Sequence, residues 1–235
     1  MELSAKLIRC KKGFTLVELI VVITVISVIT VASLPGFIAA LRRAQFEKTV
    51  NGVVALLEKA RTQALASELD SAQKITTGGY GVFFDFTSES TPTDQKVVLF
   101  ADNWNNDPNN DGNFADGKPV NLNYGDADIA NRVLPDGIYT PGKDSALTTI
   151  AINDPAYVQL TGLRGQKLLN GLSWDSLAGN TITTIFKPPY ADATILGNGI
   201  TPLQNFEAEF KLMTESSTRT IKFNRVTTAT QVIKN

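Results

Sequence analysis

From Leu19 to Leu41 the chain runs 23 residues without a charged side chain. A helix of that length spans roughly 35 Å at about 1.5 Å per residue, enough to cross a bilayer. Glu18 stands immediately before the run, and Lys11-Lys12-Gly13-Phe14-Thr15-Leu16-Val17 precedes Glu18. A carboxylate at the start of such a helix is costly in lipid, so it needs a partner and a task. Lys6, Arg9, Lys11 and Lys12, against Glu2 alone, lie on the N-terminal side. That bias holds the N-terminus in the cytoplasm and puts everything beyond about residue 41 on the far side of the membrane.

Two ordinary explanations compete with a specialised one. A secretory signal peptide has a shorter apolar core and a small-residue cleavage site after it. This core is longer, begins with Glu18 and continues into an amphipathic helix. A plain membrane anchor accounts for the hydrophobicity and the basic leader but gives Glu18 nothing to do.

The junction Gly13-Phe14, with Glu18 as the fifth residue from Phe14 and Pro35-Gly36 late in the apolar run, resembles the class III signal of type IV prepilins and pseudopilins. The resemblance implies that a membrane-embedded prepilin peptidase cuts between Gly13 and Phe14 and methylates the Phe14 amine. It also implies assembly with other pilin subunits through N-terminal helices, at an inner-membrane assembly platform. The domain plan is then a leader over 1–13, a transmembrane and filament-core helix half over 14–41, and an extracytoplasmic globular domain over 42–235. The implied fold is the α+β pilin fold, a long N-terminal helix on an antiparallel sheet. The subunit would sit in the cytoplasmic membrane, bathed in lipid, before joining a filament outside it.

Inventory limits the chemistry. The chain has one cysteine, Cys10, which lies in the leader, and no histidine. Without them, Ser-His-Asp, Cys-His and zinc centres are excluded, and the commonest general base is missing. Carboxylate-pair or Ser-Lys chemistry stays formally open, so a membrane-anchored hydrolase is the enzyme-class rival to a structural subunit that needs no cofactor. Loss of residues 1–13 would leave 18 basic and 22 acidic side chains, a charge of −4. This is not the balance of a general nucleic-acid coat.

Beyond Arg42-Arg43, apolar residues recur at Phe46, Val50, Val53, Val54, Leu57, Ala60, Ala64 and Leu65, mostly three or four apart. That period makes one apolar face, so a single helix is expected from about Phe14 to Ser67. Pro35 removes a helix hydrogen bond and is expected to kink or locally melt it. After Gly78-Gly79 the pattern turns to strands: Tyr80–Phe86, Gln95–Ala101, Leu147–Ile152, Thr181–Phe186, Asn205–Met213 and Thr218–Arg225, the last two forming a hairpin around Thr214–Ser217. The core Leu57-x-x-Ala60-Arg61-x-x-Ala64 and the strand Ile221-Lys222-Phe223-Asn224 resemble H-type pseudopilins and related minor pilins.

Four groups of residues are candidates for function. Gly13 and Phe14 are the processing junction. Glu18 and Pro35 belong to assembly. In a filament each Glu18 could lie beside the Phe14 amine of a neighbour. Opposite charges about 4 Å apart interact by roughly 4 kcal/mol at an effective dielectric of 20, so the pairing would select one axial register. The alternative is a carboxylate that only snorkels to the headgroups. Third, Asp107-x-Asn109-x-Asp111-Gly112 has the one-three-five spacing and the sixth-position Gly of an EF-hand-type calcium loop. Lys118 stands where the bidentate Glu would be, with Asp116 as a substitute from another angle. The competing reading is an Asn/Asp-rich turn bonded to its own backbone. Fourth, Lys211, Arg219, Lys222, Arg225 and Lys234 make the C-terminal hairpin basic. Related minor pilins bind DNA through such residues, and phosphate contacts need a cluster. Strand alternation can instead scatter them over a solvated sheet.

Overall fold

A computed structural model describes residues 15–66, 78–86, 95–105, 118–119, 136–152, 158–167, 174–176, 181–188, 190–198 and 201–234. The element order is helix α1 (Leu16–Ala66), then strands β1 (Tyr80–Asp85), β2 (Lys96–Ala101), β3 (Trp104–Asn105), β4 (Lys118–Pro119), β5 (Ser145–Ala151), β6 (Val158–Lys167), β7 (Trp174–Ser176), β8 (Thr181–Lys187), β9 (Asp192–Gly197), β10 (Thr201–Leu212), β11 (Thr218–Asn224) and β12 (Thr230–Lys234). The expected α+β arrangement is present: one long N-terminal helix followed by an antiparallel sheet.

The chain divides into two compact units, with the boundary between Arg43 and Ala44. In the first unit, α1 exposes its large apolar side chains, from Leu16 at 73% to Leu41 at 47%. Mean hydropathy reaches 2.6 over an 18-residue window, so this helix is long and apolar enough to span a membrane. Its hydroxyls suit lipid. Thr24, Ser27, Thr30 and Ser33 each donate to the carbonyl four residues earlier. A hydroxyl satisfied inside its own helix carries little desolvation cost. The helix runs through Pro35 without a break, so the local melting allowed for at that position does not occur. One missing N–H donor costs one hydrogen bond, and the strong apolar helix on either side carries the turn across it.

In the second unit the rest of α1 buries Phe46, Val50, Val53, Leu56, Leu57, Ala60 and Ala64. The stripe differs from the sequence expectation at one end. Leu65 is 52% exposed, because each step rotates a side chain about 100° and Ala64 already faces the core. Against these residues lie Phe84, Phe206, Phe210, Ile221 and Phe223, all within one core cluster. Aromatic contacts tie the strands together: Phe84 meets Phe206 edge-on at 5.2 Å, and Phe206 stacks on Phe223 at 5.6 Å.

The sheet runs β12-β11-β10-β9-β8-β1-β2-β5, with β6 attached to β10 and β7 to β6. The long strand β10 has two neighbours along one side, β9 at Thr201–Leu203 and β11 at Asn205–Lys211, and β6 along the other. A smaller second cluster covers the sheet's other face, where Val98, Phe100 and Ile185 pack with Phe83 and Tyr139. Gly81 permits this layer, since a Cβ there would stand 2.6 Å from the Phe100 ring. Gly79, at φ +100°, is needed for a turn in which a Cβ would strike the Phe186 carbonyl oxygen at 2.1 Å.

Two buried aspartates fasten the end of β2. Asp102, 1% exposed, accepts the Gly137 N–H at 2.9 Å. Asp144, 6% exposed, accepts the N–H groups of Asn103 at 2.9 Å and Thr140 at 2.7 Å. Burial, and then the charge of Asp144, push the Tyr139 phenol above its ordinary value. Asp144→Ala removes the acceptor of two part-buried donors, each loss costing about 1–3 kcal/mol, so we expect about 3 kcal/mol of destabilisation. Thermal unfolding of the purified chain should show Tm falling by roughly 6–12 °C. An unchanged Tm would show that water replaces the carboxylate without loss.

Candidate functional site

Thr15 and Glu18 open α1 as a reciprocal pair. Glu18 Oε2 accepts the Thr15 backbone N–H at 2.9 Å and the Thr15 hydroxyl at 2.8 Å. The Glu18 N–H donates back to Thr15 Oγ1 at 3.3 Å. This is a capping box: Thr at the N-cap and Glu three residues on satisfy two of the four orphan donors of the helix start. The sequence reading gave Glu18 only a partner in another subunit and missed this one. The signal was present, since Thr15-x-x-Glu18 before an apolar run is the capping-box pattern. The negative side chain also complements the positive end of the helix dipole.

The arrangement caps and orients the start of the helix. Glu18 has no second titratable group beside it among the described residues that would make an acid–base pair. Gly13 and Phe14 lie outside the described residues, as do Asp107, Asn109, Asp111 and Asp116. Among the described residues, no group of three or more His, Cys, Asp or Glu could hold a metal ion.

The basic residues of the closing hairpin are described, and they do not form one patch. Arg219 reaches inward to α1, where its guanidinium contacts Glu47 Oε1 at 2.5 Å and lies 5.6 Å from the Phe46 ring centroid. Its side chain is only 12% exposed. Lys222 is on the opposite face of β11, ion-paired with Glu207, the residue directly across on β10. Arg225 Nε donates to the Ala193 carbonyl at 3.0 Å. Lys211 and Lys234 are exposed. The period-two geometry of the strand therefore splits the cluster, and Arg219, Lys222 and Arg225 each have an acceptor within the protein.

Comparison with known proteins adds one finding. A family model described as the prokaryotic N-terminal methylation motif matches residues 8–34. The matched stretch contains Gly13, Phe14, Thr15, Glu18 and most of the uncharged run. The chain thus carries a type IV pilin-like signal on a long apolar helix. No curated protein and no solved structure matched it.

Proposed function

We propose that this protein is a structural subunit of a type IV pilus-like or type II secretion filament, a minor pilin or H-type pseudopilin with no turnover of its own. The observation that carries the reading is the methylation motif over residues 8–34, coincident with an exposed apolar helix headed by Glu18. Prepilin peptidase cuts after Gly13 and methylates Phe14. Residues 14–41 anchor the subunit in the cytoplasmic membrane and later form the filament core. Residues 42–235 are the globular part outside the cytoplasm. Other pilins and an assembly platform are its partners. The internal pairing of Arg219 and Lys222 favours this reading over DNA uptake through the hairpin. Intact-mass measurement on the protein from a host with the peptidase tests it. A chain beginning at Phe14 and one methyl heavier than its sequence is expected. A chain retaining residues 1–13 overturns the proposal.

We also propose that the segment from Asp107 to Asp116 takes a calcium ion, on the strength of its alternating oxygen donors and Gly112. The whole chain should then melt higher in millimolar calcium than in chelator. Asp107→Ala with Asp111→Ala should remove the difference, and magnesium should do less because it demands tighter octahedral geometry. An equal Tm with calcium and with chelator would leave a self-bonded turn as the account of this loop.

A further inference from the structure

The outward face of β6, β10, β11 and β12 is polar in an ordered way. Inward go Phe206, Ala208, Phe210 and Leu212; outward go Asn205, Glu207, Glu209 and Lys211. The register sets Gln166, Asn205 and Asn224 in one cross-strand row, and Arg164, Glu207, Lys222 and Gln231 in the next. A cavity of about 310 Å³ opens beside these rows, at the low end of the ~300–1,000 Å³ of small-molecule sites. Its walls include Asn205, Lys222, Asn224, Thr227, Ala229 and Gln231.

The turn between β11 and β12 forms one wall, and its shape is held. Asn224 Oδ1 accepts the N–H groups of Val226 and Thr227, both at 2.9 Å. The Asn224 N–H donates to the Ala229 carbonyl at 3.2 Å. Between them Thr228 sits at φ 50°, a left-handed conformation that a β-branched residue rarely adopts. Such strain persists only where the surroundings impose it, and it gathers at ligand sites.

We propose that this cleft binds one ring of a neutral saccharide. Three amide side chains and a hydroxyl line it: Gln231 and Thr227 can donate and accept, the Asn224 amide can donate while its oxygen serves the turn, and the Asn205 amide is joined to Gln166. Vicinal sugar hydroxyls present the same mixture. The one cation in the lining, Lys222, is paired with Glu207, so the cleft carries little net charge to hold an anion. An extended peptide is the other occupant that amide rows can match. The cavity's small volume and the closing turn favour a single compact ring over it.

The test uses the full chain in phosphocholine micelles, since sugar-based detergents would compete. Saturation-transfer difference NMR is run with neutral methyl glycosides of glucose, galactose, mannose and N-acetylglucosamine. Glucuronate and a blocked tetra-alanine peptide are the controls. At least one neutral glycoside should bind with a millimolar Kd. Gln231→Ala should weaken it by about tenfold, and Gln231→Trp, which fills the cleft, should abolish it. If the Trp variant loses its far-ultraviolet dichroism, the Ala variant decides alone. No signal from any neutral glycoside in the millimolar range overturns the proposal. So does a signal that survives both substitutions, or tighter binding of glucuronate or the peptide.

Discussion

Gly13→Leu should leave the chain at full length in the membrane, with no detectable cut between residues 13 and 14. The junction couples a residue without a side chain to a large aromatic one, Gly13 to Phe14. A protease that binds the chain in extended form must close on the scissile carbonyl, and an isobutyl group there obstructs that approach. The apolar run and the basic leader are untouched, so insertion and orientation should not change. Processing should fall from near completion to nothing, which makes this the largest effect expected of any single substitution here. The readout is the shift between precursor and mature bands, confirmed by intact mass. A variant cut as efficiently as the wild type would remove the peptidase from the account and return the segment to a plain anchor. Phe14→Ala makes the useful contrast. It alters the residue after the cut without crowding it, and should be processed far better than Gly13→Leu.

How much of this was readable beforehand varies by element, for physical reasons. The helix was plain because its signals reinforce one another: no charge from Leu19 to Leu41, then a three-to-four period that really does bury Phe46, Val50, Val53, Leu57, Ala60 and Ala64. Strand β2 was plain as well, since Val97-Val98-Leu99-Phe100-Ala101 is buried throughout. The hairpin closes where expected, with the Leu212 N–H on the Ser217 carbonyl at 3.1 Å. Strands β3, β4, β6, β7, β9 and β12 are not written in the sequence pattern. In β6 the alternation breaks at Thr161-Gly162, where the register slips as Glu209 and Phe210 of β10 pass it. The β9 strand is six residues bounded by Asp192 and Gly197, which read as turn residues. β12 is a sheet edge with Gln231 and Val232 exposed, so burial wrote no pattern into it. Strands held mainly by their neighbours' hydrogen bonds leave a weak trace in sequence.

The candidate site divides along similar lines. Glu18 stood out by inventory, as the lone carboxylate heading an apolar run. Its partner Thr15 did not, because an uncharged threonine beside an apolar run carries no mark of its own until the helix start places it against Glu18. The hairpin cations were legible as residues and misleading as a cluster. Sequence proximity put Arg219 and Lys222 together, and the pleat set them on opposite faces, one toward Phe46 and Glu47, the other toward Glu207. Whether a strand's charges add up depends on parity, and a composition count ignores it.

Glu18 has one observed partner, Thr15, and one proposed in a neighbouring subunit, and substitutions at two positions should divide the two effects. In its own chain it completes the capping box with Thr15. Removing such a cap costs about 1 kcal/mol. In the filament we expect it to face the Phe14 amine of a neighbour, a pairing of roughly 4 kcal/mol at an effective dielectric of 20. The larger quantity should govern assembly. Glu18→Val removes both, keeps the monomer in the membrane and should abolish incorporation into sheared filaments. Glu18→Gln keeps the cap, since glutamine serves equally at that position, but loses the charge. It should therefore assemble almost as poorly as Glu18→Val. Thr15→Ala removes the hydroxyl cap, keeps the charge and should assemble at a modestly reduced level. The ratio of filament to membrane-bound subunit, measured for all three, orders the two effects. If Glu18→Gln assembled like the wild type while Thr15→Ala did not, the carboxylate would matter only as a helix cap, and register would have to be set elsewhere along the helix.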